Sequence, residues 1–158
     1  MSEITNADEA RAALEQARTE YRELVLGLSE DEWNRQSNNT GWNNGQLCWH
    51  IAFGVGAGGQ SLSRLRKNKG MNPPAPLMAV INFASLWYVR IRSRGGTPDS
   101  VLALFDEGCA KMQQLADGIG DDEWGNGGLV LGQETTVGGV FAFPSEHISE
   151  HAAEMRRD

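Results

Sequence analysis

Apolar side chains recur along this chain at steps of three and four residues, a spacing that brings side chains to one face of a helix. Near the N-terminus seven such residues follow one another: Ala10, Leu14, Ala17, Tyr21, Leu24, Val25 and Leu28. They predict an amphipathic helix of about six turns. The stretch Asn6–Glu9 precedes them, and an Asn followed three residues later by a carboxylate is a common helix start.

The same reasoning predicts further helices, and no strand pattern extends beyond residues 128–131. The expected helices are a second from Asn43 or Asn44 towards Lys67, a third from Leu77 to Arg92, a fourth that starts at Thr97-Pro98, and a last from Val137 to Arg157. The glycine-rich stretch from Gly118 to Val137 is predicted as a long loop. We therefore expect an all-α fold.

Composition limits the partners and the compartment. Fourteen basic and 21 acidic residues leave a formal net charge of −7, and such a surface repels phosphate backbones, so we expect no nucleic acid partner. Cys48 and Cys109 are too few for a disulfide framework. The N-terminus lacks a signal-peptide pattern, and no apolar run reaches the about 20 residues of a membrane span. We expect a single domain over residues 1–158, in the cytoplasm and without a membrane partner.

All three histidines of the chain lie in predicted helices. His147 and His151 are four residues apart on the last helix, so their rings point the same way and can share one metal ion. His50 lies on a helix that could face them, and it would complete a three-histidine site with an open coordination position. The spacing is also compatible with core or solvated histidines. Glu154 is a candidate partner of His151 or general base, or a solvated charge at a helix end.

A lane of small residues follows His50 on the same face of its helix. It consists of Gly54, Ala57, Gly58 and Ser61. A packed core would fill such positions with larger side chains, so either a neighbouring helix approaches closely or a channel leads to the metal. We favour the channel, with Gly54 and Gly58 on the floor of a ligand pocket whose mouth is near the loop after Gly118. Trp42, just ahead of this helix, is the tryptophan best placed to line the pocket.

Two motifs resemble a known family. Residues 41–52, GWNNGQLCWHIA, are similar to the G-W-x-x-x-x-L-x-x-H-(L or I)-A signature of DinB-like metal-binding bundles. Residues 136–151 are similar to the last helix of that family. The pairs Glu146-His147 and Glu150-His151 resemble the N-terminal domain of mycothiol-dependent maleylpyruvate isomerases. The resemblance covers essentially the whole chain.

This resemblance implies a four-helix bundle in up-down-down-up order, with residues 77–92 as an extra helical segment between the second and third bundle helices. It also implies a divalent metal ion on His50, His147 and His151. Imidazole ligands suit several transition metals, and we expect zinc or nickel.

The functional hypothesis is a thiol-dependent S-transferase or isomerase that acts on a small molecule, with a low-molecular-weight thiol such as mycothiol as its cofactor. A metal-dependent hydrolase is less favoured for the same site. The alternative is a non-catalytic bundle that binds a metal or small ligand and acts through oligomerisation or sequestration. Residues 77–92 could cover the metal or form the surface of a homodimer.

Overall fold

The computed structural model describes residues 3–39 and 41–155. Within these residues, six helices and one antiparallel hairpin follow one another along the chain. They are α1 (Ala7–Leu26), α2 (Glu30–Asn34), α3 (Asn44–Leu65), α4 (Ala75–Arg92), α5 (Pro98–Ala116), β1 (Gly127–Val130), β2 (Gln133–Thr136) and α6 (Val137–Glu154). None of these helices is long and apolar enough to cross a membrane.

Helices α1, α3, α5 and α6 form a four-helix bundle, which confirms the predicted fold class. Both α1 and α3 pack against α5 and α6, so α1 and α3 lie on one diagonal of the bundle. The predicted apolar stripes supply its core: Leu14, Tyr21, Leu47, Ile51 and Phe105, for example, are buried. The up-down-down-up order of the helices stays a prediction.

The side chains that were expected to start the helices do so. Asn6 accepts a hydrogen bond from the backbone N–H of Glu9 at 2.9 Å. Asn43 accepts one from the N–H of Gln46 at 2.8 Å, and the Gln46 side chain accepts one from the N–H of Asn43 at 3.0 Å. This reciprocal pair is a capping box, which satisfies backbone donors that a helix start leaves free. It determines where α3, the helix that carries His50, begins.

The stretch from Gly118 to Val137 is not only a loop, because it contains the β1–β2 hairpin. Leu131 and Gly132 form its two-residue turn, with φ angles of 49° and 88°. Two positive φ angles match the twist of the flanking strands. Strands of four residues are too short for an alternating pattern to stand out in the sequence, which explains why the hairpin was not predicted.

Helix α4 is the predicted extra helix between α3 and α5, and its packing differs from that of the bundle helices. Val89 is its one buried residue. The large apolar side chains that it exposes are Leu77, Val80, Ile81, Phe83, Trp87, Tyr88 and Ile91.

The last helix is shorter than expected. Helix α6 ends at Glu154, with Met155 as its C-cap in extended conformation. It continues through Pro144, which removes one backbone donor but does not end the helix. Arg156 and Arg157, which the prediction included, lie outside the described residues.

Candidate metal centre

Three imidazole rings from two helices meet in the bundle. His50 comes from α3, and His147 and His151 come from neighbouring turns of α6. Nε2 of His147 lies 3.2 Å from Nε2 of His50 and 3.0 Å from Nε2 of His151. The structure therefore brings together the three histidines that the sequence singled out.

The arrangement fits a divalent metal ion. Tetrahedral coordination at metal–nitrogen distances of about 2.0–2.1 Å separates two ligand nitrogens by about 3.3–3.4 Å, close to the separations found here. One ligand atom from each histidine lies within 4.8 Å of the others. The donors are imidazole nitrogens on rigid helices, as a site for zinc or a similar transition metal requires.

Glu154 determines which nitrogen of His151 is free to bind a metal. Nδ1 of His151 lies 2.7 Å from Oε2 of Glu154. Because a carboxylate can only accept, Nδ1 carries the proton, and Nε2 of the neutral ring keeps its lone pair. Asn39 donates a second hydrogen bond to the same oxygen at 3.1 Å. Burial raises the pKa of Glu154, but the bonds from His151 and Asn39 outweigh it and hold this pKa below its ordinary value. Glu154 is thus a partner of His151 and not a solvated terminal charge.

Burial keeps two of the imidazoles in the neutral form that a metal ligand needs. It lowers the pKa of His50 from 6.5 to about 4 and that of His147 to about 3. Desolvation is the main cause, since it disfavours the charged imidazolium. The neighbouring histidines lower both values further.

His147 occupies space that a glycine leaves open. A Cβ added at Gly54 would lie 2.8 Å from Cε1 and 3.0 Å from Nδ1 of His147. The ring of Phe143 also stacks on His147, at 4.7 Å between centroids. Among the described residues, buried Nδ1 of His147 has no hydrogen-bond partner. Packing between Gly54 and Phe143 therefore orients this ring.

Trp42 contacts the centre from the side of α4. Its ring lies 4.7 Å from that of His50, between centroids, and its indole N–H donates to the carbonyl of Leu86 at 3.2 Å. Arg90 donates to the carbonyl of Gly41 at 2.9 Å. Trp42 is buried between His50 and α4 and is not among the residues that line the cavity described next.

A cavity of about 420 Å³ leads away from the histidines. His50 and His147 are part of its wall, and α6 adds Val140 and Phe143. The α3 wall is the small-residue lane together with one aromatic ring: Phe53, Gly54, Ala57, Gly58 and Ser61. Gly54 and Gly58 thus lie where the channel interpretation placed them, and their role in binding a ligand stays a prediction.

The hairpin forms a further wall of this cavity and lies in the stretch near which the mouth was expected. It contributes Val130, Leu131, Gln133 and Thr135. Met71, from the connection between α3 and α4, completes the wall and joins the hairpin through two backbone hydrogen bonds: its N–H donates to Leu129 at 2.9 Å, and its carbonyl accepts from Leu131 at 3.0 Å.

Neither cysteine faces the cavity. Cys48 and Cys109 are buried and free of disulfides, as expected of core residues. Burial raises the pKa of the Cys109 thiol to about 11. The chain therefore presents no thiol of its own to the histidines.

Sequence reasoning missed Asn39 and the hairpin wall. Asn39 lies 115 positions before Glu154, and an Asn in a polar loop carries no signal of such a contact. The hairpin residues lie in a stretch without long periodicity, so the sequence placed the mouth near this stretch but did not show which of its side chains line the cavity.

Comparisons with known proteins agree with this architecture. The sequence profile described as the DinB superfamily matches residues 13–155. The fold is similar to a solved structure described as the crystal structure of the mycothiol-dependent maleylpyruvate isomerase, with a TM-score of 0.68 at 14% sequence identity. The match covers 98% of this chain and 63% of that one, so this chain spans less than two thirds of the isomerase. No curated protein sequence matches. Because the profile extends from within α1 to the C-cap of α6, the chain belongs to the DinB superfamily.

Proposed function

We propose that the chain binds a divalent metal ion, zinc or nickel, through His50, His147 and His151 and promotes thiol-dependent group transfer or isomerisation of a small molecule. The observation that supports this proposal is the convergence of three Nε2 atoms, two of them from His50 and His147 in the wall of a largely apolar cavity. A metal ion bound there supplies Lewis-acid chemistry and lowers the pKa of a thiol that reaches it.

The chain's own residues would prepare the site in three ways. Glu154 holds the proton on Nδ1 of His151 and thereby directs Nε2 towards the metal. Phe143 stacks on His147 and limits the access of water to that ring. His50 and His147 stay neutral because they are buried.

The thiol would come from a second, low-molecular-weight substrate such as mycothiol, because both cysteines are buried away from the cavity. The fold that the chain shares with an isomerase described as mycothiol-dependent supports this class of reaction.

Elemental analysis of untagged protein, purified without chelators, tests the proposal. The wild type should carry about one zinc or nickel ion per chain, and the His147→Ala variant should carry much less, because a tetrahedral site with two protein ligands binds weakly. Equal metal content in the two proteins would refute the metal site. Thiol consumption with a panel of electrophiles, measured in metal-loaded protein, then tests the reaction class.

The second candidate is a non-catalytic bundle that binds a metal or small ligand. It is favoured by the absence of a carboxylate or lysine among the cavity-lining residues that the structure describes, which leaves the site without an evident general acid or base beyond the histidines. Stoichiometric metal without any thiol consumption would support this candidate over the enzyme.

We also propose that α4 forms the surface of a homodimer. Its seven exposed apolar side chains together expose on the order of 800 Å², which is about what each partner of a stable interface buries. No charged residue lies between Ala75 and Val89. A two-fold pairing of α4 helices in opposite directions would keep Arg90 and Arg92 of the two copies at opposite ends of the interface.

A further inference from the structure

No Asp, Glu, Lys or Arg is among the described residues that line the cavity beside the histidines, although 22% of the residues of the chain are charged. Apart from His50 and His147, no residue of its described lining has an ionisable side chain. The neutral polar side chains are Ser61, Gln133 and Thr135. Ser61 uses its hydroxyl in a 2.8 Å hydrogen bond to the carbonyl of Gly58, and the hydroxyl of Thr135 donates to the carbonyl of Thr136 at 3.4 Å.

This lining disfavours anionic ligands. A carboxylate that enters an apolar cavity loses its hydration and needs a cation or several donors in exchange. The described walls provide no lysine or arginine for that purpose. An uncharged, largely apolar molecule loses little hydration of its own and gains contact with Phe53, Met71 and Phe143.

The hairpin wall is held in place by backbone contacts. Besides the two hydrogen bonds of Met71, the backbones of Gly70 and β1 lie so close that a Cβ at Gly128 would be 2.7 Å from the Gly70 nitrogen. Neither position has room for a side chain. The cavity is therefore formed before a ligand arrives, as is usual for small-molecule sites.

Leu131 at the rim of this wall provides a second, independent observation. Its φ of 49° lies in the left-handed region, which suits Asn or Gly and is unfavourable for a bulky residue. Nevertheless a Leu stands there, its side chain is 47% exposed and it lines the cavity. Unfavourable backbone conformations of this kind cluster at ligand sites, and here the conformation places an apolar side chain at the cavity mouth.

We propose that this cavity binds the uncharged, largely apolar acceptor of the reaction, that Leu131 contacts this acceptor at the mouth, and that the cavity excludes carboxylates. The role of this ligand as the acceptor rests on the proposed function, whereas the binding preference of the cavity does not depend on it.

Displacement of a neutral fluorescent probe, N-phenyl-1-naphthylamine, tests this preference. The competitors are 2-acetylnaphthalene, which is neutral, and 2-naphthoate, which has the same rings and a carboxylate. In chelator-treated protein the ketone should displace the probe at a concentration at least about ten-fold lower than the carboxylate, because only the carboxylate has to shed a charge-bound hydration shell. Equal potency, stronger binding of 2-naphthoate or the absence of probe binding would overturn the proposal.

The metal-free arm separates this proposal from the proposed function. A carboxylate can bind a metal ion directly, so the metal-loaded protein is measured beside the metal-free one. A protein that carries no metal but prefers the ketone refutes the metal site and supports the cavity proposal. A protein that carries one metal ion as purified but prefers the carboxylate after the metal is removed supports the metal site and refutes the cavity proposal.

Two variants test whether the probe binds in the cavity. A Cβ at Gly58 would only touch Val140, at 3.7 Å, so Gly58→Leu should fold, fill the cavity and reduce probe binding at least ten-fold. Gly56→Ala is the matched helix control, because a Cβ at Gly56 faces the Cα of Gly108 on α5 at 3.9 Å. Probe binding that survives Gly58→Leu, in protein with unchanged helix content by circular dichroism, would overturn the assignment.

Leu131→Asn tests whether Leu131 contacts the ligand, because the substitution should stabilise the protein but weaken probe binding. Asn fits the left-handed turn, so the melting temperature should rise by about 2–4 °C, while probe binding should weaken several-fold. A more stable protein with undiminished probe binding would show that Leu131 does not contact the ligand.

Discussion

At the scale of single residues, Glu154 supports the histidine cluster without being one of its three possible ligands. Its carboxylate holds the proton on Nδ1 of His151, and Asn39 holds the carboxylate. Such partners of metal-bound histidines orient the ring and increase its basicity. Because Glu154 is not part of the cavity lining, we assign it the role of a positioning residue and not that of a general base.

The Glu154→Gln variant should therefore bind zinc about 10- to 100-fold more weakly, since the neutral amide no longer stabilises the orientation and basicity of His151. Competition with a chromophoric chelator measures this affinity. Glu150→Gln, an exposed change one turn earlier on α6, is the control and should leave the affinity unchanged. Identical affinities of both variants would argue against the role of Glu154.

Gly54 is a second position that affects the histidines, because a single added carbon atom there would displace the ring of His147. In Gly54→Ala the new Cβ would lie 2.8 Å from Cε1 of His147, so the ring must move and zinc affinity should fall. Gly58→Ala adds the same methyl group at ordinary contact distance from Val140 and should keep the affinity of the wild type. The same chelator competition compares the two variants, and equal affinities would mean that His147 adjusts freely.

The buried histidines predict how stability changes with pH in the metal-free protein. The pKa values of His50 and His147 are about 4 and about 3 in the folded state, below the ordinary 6.5. The unfolded chain therefore binds more protons than the folded one below pH 6.5, and the free energy of unfolding should fall as the pH drops from about 6.5 towards 4.

Urea unfolding after chelation, at several pH values between 7 and 4.5, measures this slope. Glu154 contributes only near the acid end of that window, because its pKa in the folded protein lies below the ordinary 4.5 and the unfolded chain takes up its proton as the pH approaches 4.5. The His147→Gln variant should show a shallower decline than the wild type. A free energy of unfolding that is the same at pH 7 and pH 5 would contradict the burial of neutral histidines.

At the scale of elements, different glycines of α3 face its two neighbours, α5 and α6. A Cβ at Gly59 would lie 2.9 Å from Leu115 of α5, so this glycine permits close helix packing. Gly54 and Gly58 point instead towards α6 and the cavity. Close helix packing therefore explains Gly59, which lies outside the lane of small residues, whereas Gly54 and Gly58 border the cavity.

The start of α3 depends on its capping box, and its loss should be measurable. Asn43→Ala removes the acceptor for the N–H of Gln46 and should lower the free energy of unfolding by about 1 kcal/mol. Chemical denaturation measures the change. Asn43→Ser keeps a capping oxygen and should restore most of the stability, whereas an equal loss in both variants would mean that the cap contributes little.

At the scale of the whole molecule, the apolar face of α4 predicts self-association. Phe83 is 66% exposed on that face, so Phe83→Asp should convert a dimer into a monomer without affecting the core. Light scattering coupled to size-exclusion chromatography gives the mass. Leu26→Asp changes an equally exposed leucine on α1 and should leave the dimer intact. A monomeric wild type would refute the interface.

Local patterns in the sequence determined the helices of this protein. Helices α1 and α3 start at a side-chain acceptor, Asn6 or Asn43, with a backbone donor three residues later, and an apolar stripe repeats every three or four residues. Both lie within one or two turns of the chain. For the same reason the pairing of His147 with His151 could be predicted, since four residues along a helix place two side chains on one face.

Only the tertiary structure decided what surrounds those histidines. The contact between Asn39 and Glu154, the fit of His147 against Gly54 and the cavity shared by α3 and the hairpin each join residues far apart in the chain. Such contacts depend on how whole helices pack. The residues next to a side chain in the sequence do not reveal which distant residue it contacts. The cavity beside His50 and His147 therefore became visible only when α3, α6 and the hairpin were placed together.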